Sequence, residues 1–220
     1  MQQTTKQIHE VQRRPAPAAR CQPLTLFEGL LWTGSWETDR IYAVDPKTWS
    51  VVHDVPAPGK PYGIAALGDA LHVVVSDNGE EDDRYLYRFT PRGGFIADSK
   101  TACPQMTGSH IASDGKRLYL GQAHERRIVT LDDAYAISQA FALSTRTGGF
   151  SFGPAGELYF LAADAEFDNL TFGTLELKAD GSAFKEIAPF DPEFRSLAFD
   201  GSVWYTSNRE AGEIVTFTVG

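Results

Sequence analysis

Two histidines and two arginines stand where they could do chemistry together: His110, His124, Arg195 and Arg209. A neutral imidazole near pH 7 can take up and return a proton, so His110 and His124 are the candidate acid–base groups. The planar fork of a guanidinium matches a carboxylate, which makes Arg195 and Arg209 candidates for holding an anion. Arg195 follows Phe194 and opens an apolar stretch, where an unpaired charge is costly; it must meet a carboxylate of the protein or of a ligand. Trp36 and Tyr62 would wall such a site, and Glu37, Gln122 and Asn208 would add polar contacts. Structural alternatives stand beside each role. His110 could serve a neighbouring carbonyl, His124 could be a solvated loop residue, and Arg209 could pair with the adjacent Glu210.

A second set of donors lies in the acidic run Asp77 to Asp83, interrupted by Gly79. Clustered hard oxygen ligands make calcium possible there, with Asp77 and Asn78 nearest the other candidates. The spacing is not that of an EF-hand, and a solvated loop is the simpler reading. No phosphate-cradling Gly-Lys-Ser/Thr loop, nucleophile elbow or paired metal-ligand motif occurs. No organic cofactor is expected.

These residues share a position because the chain repeats. Leu197 to Asn208 reads as a short strand, an Asp-Gly turn (Asp200, Gly201), an alternating strand and a polar loop. The same pattern starts near Leu26, Ala65, Ile111 and Phe150. Its anchors, taken as Trp32, His72, Tyr119, Tyr159 and Trp204, fall roughly 40 to 47 residues apart, the period of a propeller blade. The pattern predicts an all-β fold, a single five-bladed β-propeller domain spanning 1–220, with blades at about 22–58, 61–99, 108–143, 147–187 and 194–220. Three strands are visible in the last blade. An alternating N-terminal stretch, Gln7 to Gln12, would supply its fourth strand and close the ring, with Arg13 to Arg20 as a Pro/Ala linker.

In such a ring the inner strands begin at one end of a central channel, and the loops after the second strands gather at that same end. That register brings His110, His124, Arg195, Arg209, Trp36, Glu37, Tyr62, Gln122, Asn208, Asp77 and Asn78 to one mouth.

A recurring Leu-Tyr pattern and the run Ile41-Tyr42-Ala43-Val44-Asp45-Pro46-Lys47-Thr48 resemble the propeller group of gluconolactonase-type hydrolases, virginiamycin B lyase and YVTN-repeat proteins. The resemblance is at the level of blades and covers Gln22 to Val219. Five aromatic-rich blades are also similar to plant-type glutaminyl cyclases, although their Phe-Thr-Gln-Gly-Leu opening is absent. The first resemblance implies a metal-binding Glu of a Glu-Gly pair at the mouth. Glu28-Gly29 aligns instead with Asp200-Gly201, in a turn at the opposite end, so the metal role is not carried to Glu28.

The expectation is therefore a small-molecule-binding propeller enzyme, a lyase or hydrolase of lactonase type acting on a carboxylated or cyclic substrate at the channel mouth. The alternative is a non-catalytic propeller that binds a ligand or protein. A net charge of −9 disfavours nucleic acid or an anionic membrane as partner. No apolar run is long enough to span a bilayer. The opening Met1 to Lys6 lacks an apolar core and does not read as a secretory signal, leaving a cytoplasmic or exported location open. A monomer is expected. Cys21 and Cys103 read as buried thiols, with a disulfide as the alternative.

Overall fold

The structure, a computed structural model, describes residues 7–220. Its strands are short, aromatic and β-branched, and they form five small sheets around an axis. Blade one runs from the channel outward through β2 (Cys21–Phe27), β3 (Leu30–Ser35), β4 (Arg40–Val44) and β5 (Val51–Pro56). It follows β1 (Ile8–Pro15). Blade two has β6 (Lys60–Leu67), β7 (Ala70–Ser76) and β8 (Arg84–Thr90), with an outer edge broken into β9 (Gly94–Phe95) and β10 (Thr101–Ala102). Blade three has β11 (Ile111–Ser113), β12 (Leu118–Gln122), β13 (Arg127–Leu131) and β14 (Ile137–Ala142). Blade four has β15 (Arg146–Phe152), β16 (Leu158–Ala163), β17 (Leu170–Glu176) and β18 (Ala183–Phe190). Blade five has β19 (Phe194–Phe199), β20 (Trp204–Asn208) and β21 (Glu213–Val219).

The ring closes as the sequence predicts: β1 pairs antiparallel with β21, from Ile8 opposite Val219 to Pro15 opposite Glu213. The strand runs further than expected. Arg13 and Arg14 belong to it, because Arg13 pairs with both Glu10 (2.8 Å) and Glu213 (2.9 Å). The linker therefore begins at Ala16.

The core lies in the seams between blades. Each of five apolar clusters joins one blade to the next, as when Trp32 and Ile41 of blade one pack with Ile64 and Val73 of blade two. The cluster of Leu24, Leu31, Ala198, Tyr205 and Ile214 joins blade five back to blade one. Burying flat sheet faces against each other in this way leaves just the outer strands and the two ends of the ring to solvent.

The repeat has a chemical basis that corrects one anchor. Cross-strand register sets Trp32 opposite Thr25, His72 opposite Ala65, Tyr119 opposite Ala112, Tyr159 opposite Ser151 and Tyr205 opposite Ala198. Tyr205, and not Trp204, is thus the fifth equivalent. The Tyr119 hydroxyl donates to Asp114 Oδ2 and the Tyr205 hydroxyl to Asp200 Oδ2, each at 2.9 Å. In both turns the other carboxylate oxygen accepts two backbone amides, those of Lys116 and Arg117 or of Ser202 and Val203. One aspartate therefore fixes both the hairpin and the ring that packs behind it. These bonds hold Asp114 and Asp200 below the usual carboxylate range against the opposing effect of their partial burial.

Inner strands approach closely at the waist of the channel. A Cβ on Gly149, at φ 149°, would lie 2.6 Å from the backbone nitrogen of Ser196, so the strand can pass there only as glycine. Cys21 and Cys103 are separate buried thiols, pushed up to about 11 and about 12 by burial.

Candidate functional site

The loops at one end of the ring are set by simple turn chemistry. Three of them are four residues long (36–39, 123–126 and 209–212), and each ends in a residue with positive φ: Asp39 at 48°, Arg126 at 48° and Gly212 at 67°. Those tight turns return the chain at once and leave a basin over the inner strands. The longer loop 164–169 is braced by Asp164, which accepts the Asp168 amide (2.9 Å) and the Asn169 side chain (2.7 Å).

The basin is a cavity of about 340 Å³. Gln22, Trp36, Tyr62, His110, His124, Arg195 and Arg209 all line it, so the structure brings together both candidate histidines, both candidate arginines and both candidate aromatic walls. Below it the channel narrows to about 10 Å³ between Leu24, Ile64, His110, Phe150 and Leu197. A ligand entering from the mouth stops at His110.

One wall is a ladder of rings and cations. The Arg209 guanidinium lies 4.5 Å over the Trp36 ring, Trp36 meets Tyr62 at 4.3 Å, and Arg84 caps the other face of the pair 3.7 Å from the Tyr62 ring. Each step is a cation–π or offset aromatic contact, so the wall is stiff. Polar bonds lock it further: Trp36 Nε1 donates to the Pro61 carbonyl (2.9 Å), and Arg209 donates to Gln22 Oε1 (3.2 Å) and Glu210 (3.0 Å).

Across the mouth, Phe167 holds φ at 63° and places its ring 5.4 Å from the Arg195 guanidinium and 5.9 Å from that of Arg146. A bulky residue in the left-handed region is a strained choice, found where position matters. Arg195 is half-buried. One of its terminal nitrogens donates to the Pro192 and Phe194 carbonyls, and no carboxylate pairs with it among the described residues. Burial, and then the charge of Arg209, lower its proton affinity. Arg195 therefore keeps a positive charge with unspent donors inside a concave site.

The same surroundings act on His110. Burial, then Arg195 and Arg209, push its pKa down to about 3, so at neutral pH it is an uncharged hydrogen-bonding group. His72, buried in the seam between blades two and three, is pushed down to about 4 by burial and then Arg88. Both histidines are neutral when folded and take up a proton near pH 6.5 when unfolded. Their contribution to stability is full above pH 6.5 and declines as pH falls toward 4, because the unfolded chain binds more protons there. Unfolding free energies from denaturant titrations at pH 7 and pH 4.5 should differ by roughly 2 kcal/mol for each histidine. A flat profile across that window would contradict this burial.

Other candidates stand elsewhere. Gln122 is buried beneath the mouth, donating to the Pro104 and Thr107 carbonyls (2.7 and 3.0 Å) and accepting from Arg127 (2.6 Å). Asn208 is buried and accepts the Ala211 amide at 2.9 Å, which shapes its turn. Glu37 lies outside the cavity lining, exposed on its loop. Asp77 accepts the Gly79 amide (2.9 Å), and Asn78 donates to Asp39 across the seam (2.9 Å). Among the described residues, no three of His, Cys, Asp or Glu converge as a metal site would require. Glu166 and Phe167 line the mouth without having been predicted. Their loop is two residues longer than the repeat's usual four, which carries them past the aligned position at Asp164.

No family model and no curated protein matches this sequence. Solved structures do match in shape. Glutaminyl cyclase from Myxococcus xanthus superposes with a TM-score of 0.69 at 11% identity, covering 96% of each chain. The PQQ-bound aldose sugar dehydrogenase from Streptomyces coelicolor gives 0.64 at 12% identity, covering 98% of each. A catalytically inactive virginiamycin B lyase from Staphylococcus aureus, with quinupristin, gives 0.56 at 15% identity, covering 93% of this chain and 82% of that one. At these identities the likeness is one of fold alone, and by fold this chain is a five-bladed β-propeller.

Proposed function

We propose that the channel mouth binds a small organic anion and that the protein is a propeller enzyme of the lyase or hydrolase class, acting on a carboxylated or cyclic substrate. The observation that carries the reading is Arg195, half-buried in the mouth with free donors and, among the described residues, no carboxylate in direct ion-pair contact, although Glu193, Glu210 and Asp191 lie near enough to act on its charge. A buried charge of that kind calls for a partner from outside. Arg195 and Arg209 hold the anion, the Trp36–Tyr62 wall and Phe167 confine its body, and His110 offers an uncharged hydrogen-bonding nitrogen at the floor. His124 stands exposed on the rim of the cavity and is the better placed of the two to exchange a proton with solvent. The inactive lyase among the similar structures is a histidine-to-alanine variant, which fits a catalytic histidine in a propeller of this shape.

A second reading, binding without turnover, is favoured by one feature. No carboxylate hydrogen-bonds either mouth histidine among the described residues, and His110 is too weakly basic to act as a general base. The two readings separate in one experiment. A thermal-shift screen with small carboxylates and lactones should identify stabilising ligands, since a molecule that binds the folded state raises the melting temperature. Arms with chelator and with calcium test the loop around Asp77 and Asn78. With a stabilising ligand in hand, His124→Ala should abolish its conversion while leaving the thermal shift intact. Absence of turnover by the wild type on every ligand that shifts it would select the binding-only reading, and no shift from any anion would overturn both.

A further inference from the structure

The seams between blades are filled by aromatic rings, and two of these rings come from one kind of turn. In blade one the β4–β5 hairpin turns through Trp49, and in blade three the β13–β14 hairpin turns through Tyr135. Each lies two residues before the outer strand, at φ 62° and 61°. Each amide bonds back to an aspartate carbonyl at the start of the turn, Asp45 (2.8 Å) or Asp132 (3.0 Å). This conformation swings the ring onto the preceding blade. Trp49 packs on the cluster of Tyr205 and donates Nε1 to the Pro15 carbonyl (2.9 Å). Tyr135 packs on His72, its hydroxyl 2.6 Å from Nδ1. Two other seams are filled by rings from the strands or the edge: Phe89, backed by Phe95, lies 5.3 Å from Trp32, and Trp204 lies 4.6 Å from Tyr159.

The seam between blades three and four is bridged by Tyr119 and Phe152, whose rings lie 4.9 Å apart, but its outer hairpin contributes no ring. At the matching position, two residues before β18, stands Gly181, with φ at 129° and its amide on the Lys178 carbonyl (3.3 Å). A Cβ there would meet nothing within 4 Å. Between the arms of this hairpin and the neighbouring blade lies a cleft of about 530 Å³, walled by Tyr119, Phe152, Leu158 and Phe184. Tyr119 spends its hydroxyl on Asp114, and its ring, packed on one side by Phe152 (4.9 Å), also lines the cleft. The carboxylates of Glu157 and Glu176 border the opening with Lys185; one oxygen of Glu157 accepts from the Tyr159 hydroxyl (3.3 Å) and one of Glu176 pairs with Lys178 (2.9 Å), which leaves an acceptor oxygen on each.

We propose that this cleft is a binding site for a small neutral aromatic molecule carrying a hydrogen-bond donor, a phenol or an indole. Such a ligand occupies the place that Trp49 and Tyr135 fill in their own seams. The volume is in the range of small-molecule pockets, and the walls supply the edges and faces that aromatic rings prefer. The polar atom of the guest reaches Glu157 or Glu176, as those of Trp49 and Tyr135 reach Pro15 and His72. This site is at the far end of the ring from the mouth and does not depend on the reading of the mouth.

The test is saturation-transfer NMR on the full chain with phenol and with indole, and with cyclohexanol as a non-aromatic control. Phenol and indole should take up saturation and cyclohexanol should not. Gly181→Tyr places a ring at the turn position that Trp49 and Tyr135 occupy in their own hairpins, and Thr174→Trp fills the cleft from β17, whose residue 174 lines it, without using a strained backbone position. Each should weaken binding at least about tenfold, or about 1.4 kcal/mol, while Arg195→Ala leaves it unchanged. The proposal is overturned if neither probe binds, if cyclohexanol binds equally, or if Arg195→Ala removes the signal. Full binding in Thr174→Trp overturns it as well, whatever the fate of Gly181→Tyr.

Discussion

Arg195→Ala should remove most of the affinity for an organic anion while leaving the fold intact. The side chain is anchored by the Pro192 and Phe194 carbonyls at the rim of the mouth and stacked near Phe167, but it crosses no seam of the core. Its loss therefore costs few packing contacts. What disappears is a charge-assisted hydrogen bond in a partly water-excluded cavity. Such bonds contribute about 2 kcal/mol, so the dissociation constant should rise about thirtyfold. Arg195→Lys should recover just part of this, because an ammonium cannot reproduce the two-pronged geometry or the contact with Phe167. The floor of the site should respond in parallel. Removing Arg195 relieves part of the repulsion on His110, whose imidazole proton affinity should rise, although burial, the larger cause of its depression, remains. Calorimetry of both variants beside the wild type decides the matter, and equal affinity in all three would exclude Arg195 from the site.

A chain that starts at Ala16 should fail to hold the ring closed. It loses β1, which is registered to β21 at seven residue pairs. It also loses the Arg13–Glu213 pair and the Arg13 contact over Phe194 (5.6 Å). With net hydrogen bonds near 1 kcal/mol each, the missing strand removes several kcal/mol, a large share of the roughly 5–15 kcal/mol available to a domain. The exposed edge of β21 then becomes a template for pairing with other chains, so aggregation should accompany the loss of stability. A synthetic peptide of residues 7–15 added in trans should restore the melting temperature by strand addition. A truncated chain as stable as the full one would mean that β1 does not clasp the ring.

How much of this was legible in the sequence depends on whether the physics is local. The Asp-Gly turns of blades three and five were readable because one aspartate organises amides two and three residues ahead and a tyrosine five residues ahead. The last anchor was misread by one residue because Trp204 and Tyr205 are adjacent aromatics. Cross-strand register, which the sequence does not state, selects Tyr205. The positions of His110, Arg195, Trp36 and Tyr62 at the mouth followed from the repeat alone. Gln122 and Asn208 lie at equivalent strand ends, yet their side chains are taken up by carbonyls and amides beneath the rim. That depends on the path of the neighbouring segment and not on the repeat. Phe167 and Glu166 were hidden by a two-residue insertion. The ladder Arg209–Trp36–Tyr62–Arg84 joins three blades, so no window of sequence contains it.

The central claim is that ligands bind at the mouth formed by these blades. Hydrogen exchange of the wild-type protein, with and without the organic acid that gives the largest thermal shift, tests it most directly. Protection should rise at 36–38, 109–110, 123–124, 164–168 and 194–196, and stay unchanged in the hairpin 177–182 at the far end. Protection spread evenly over the ring, or confined to that hairpin, would contradict the account.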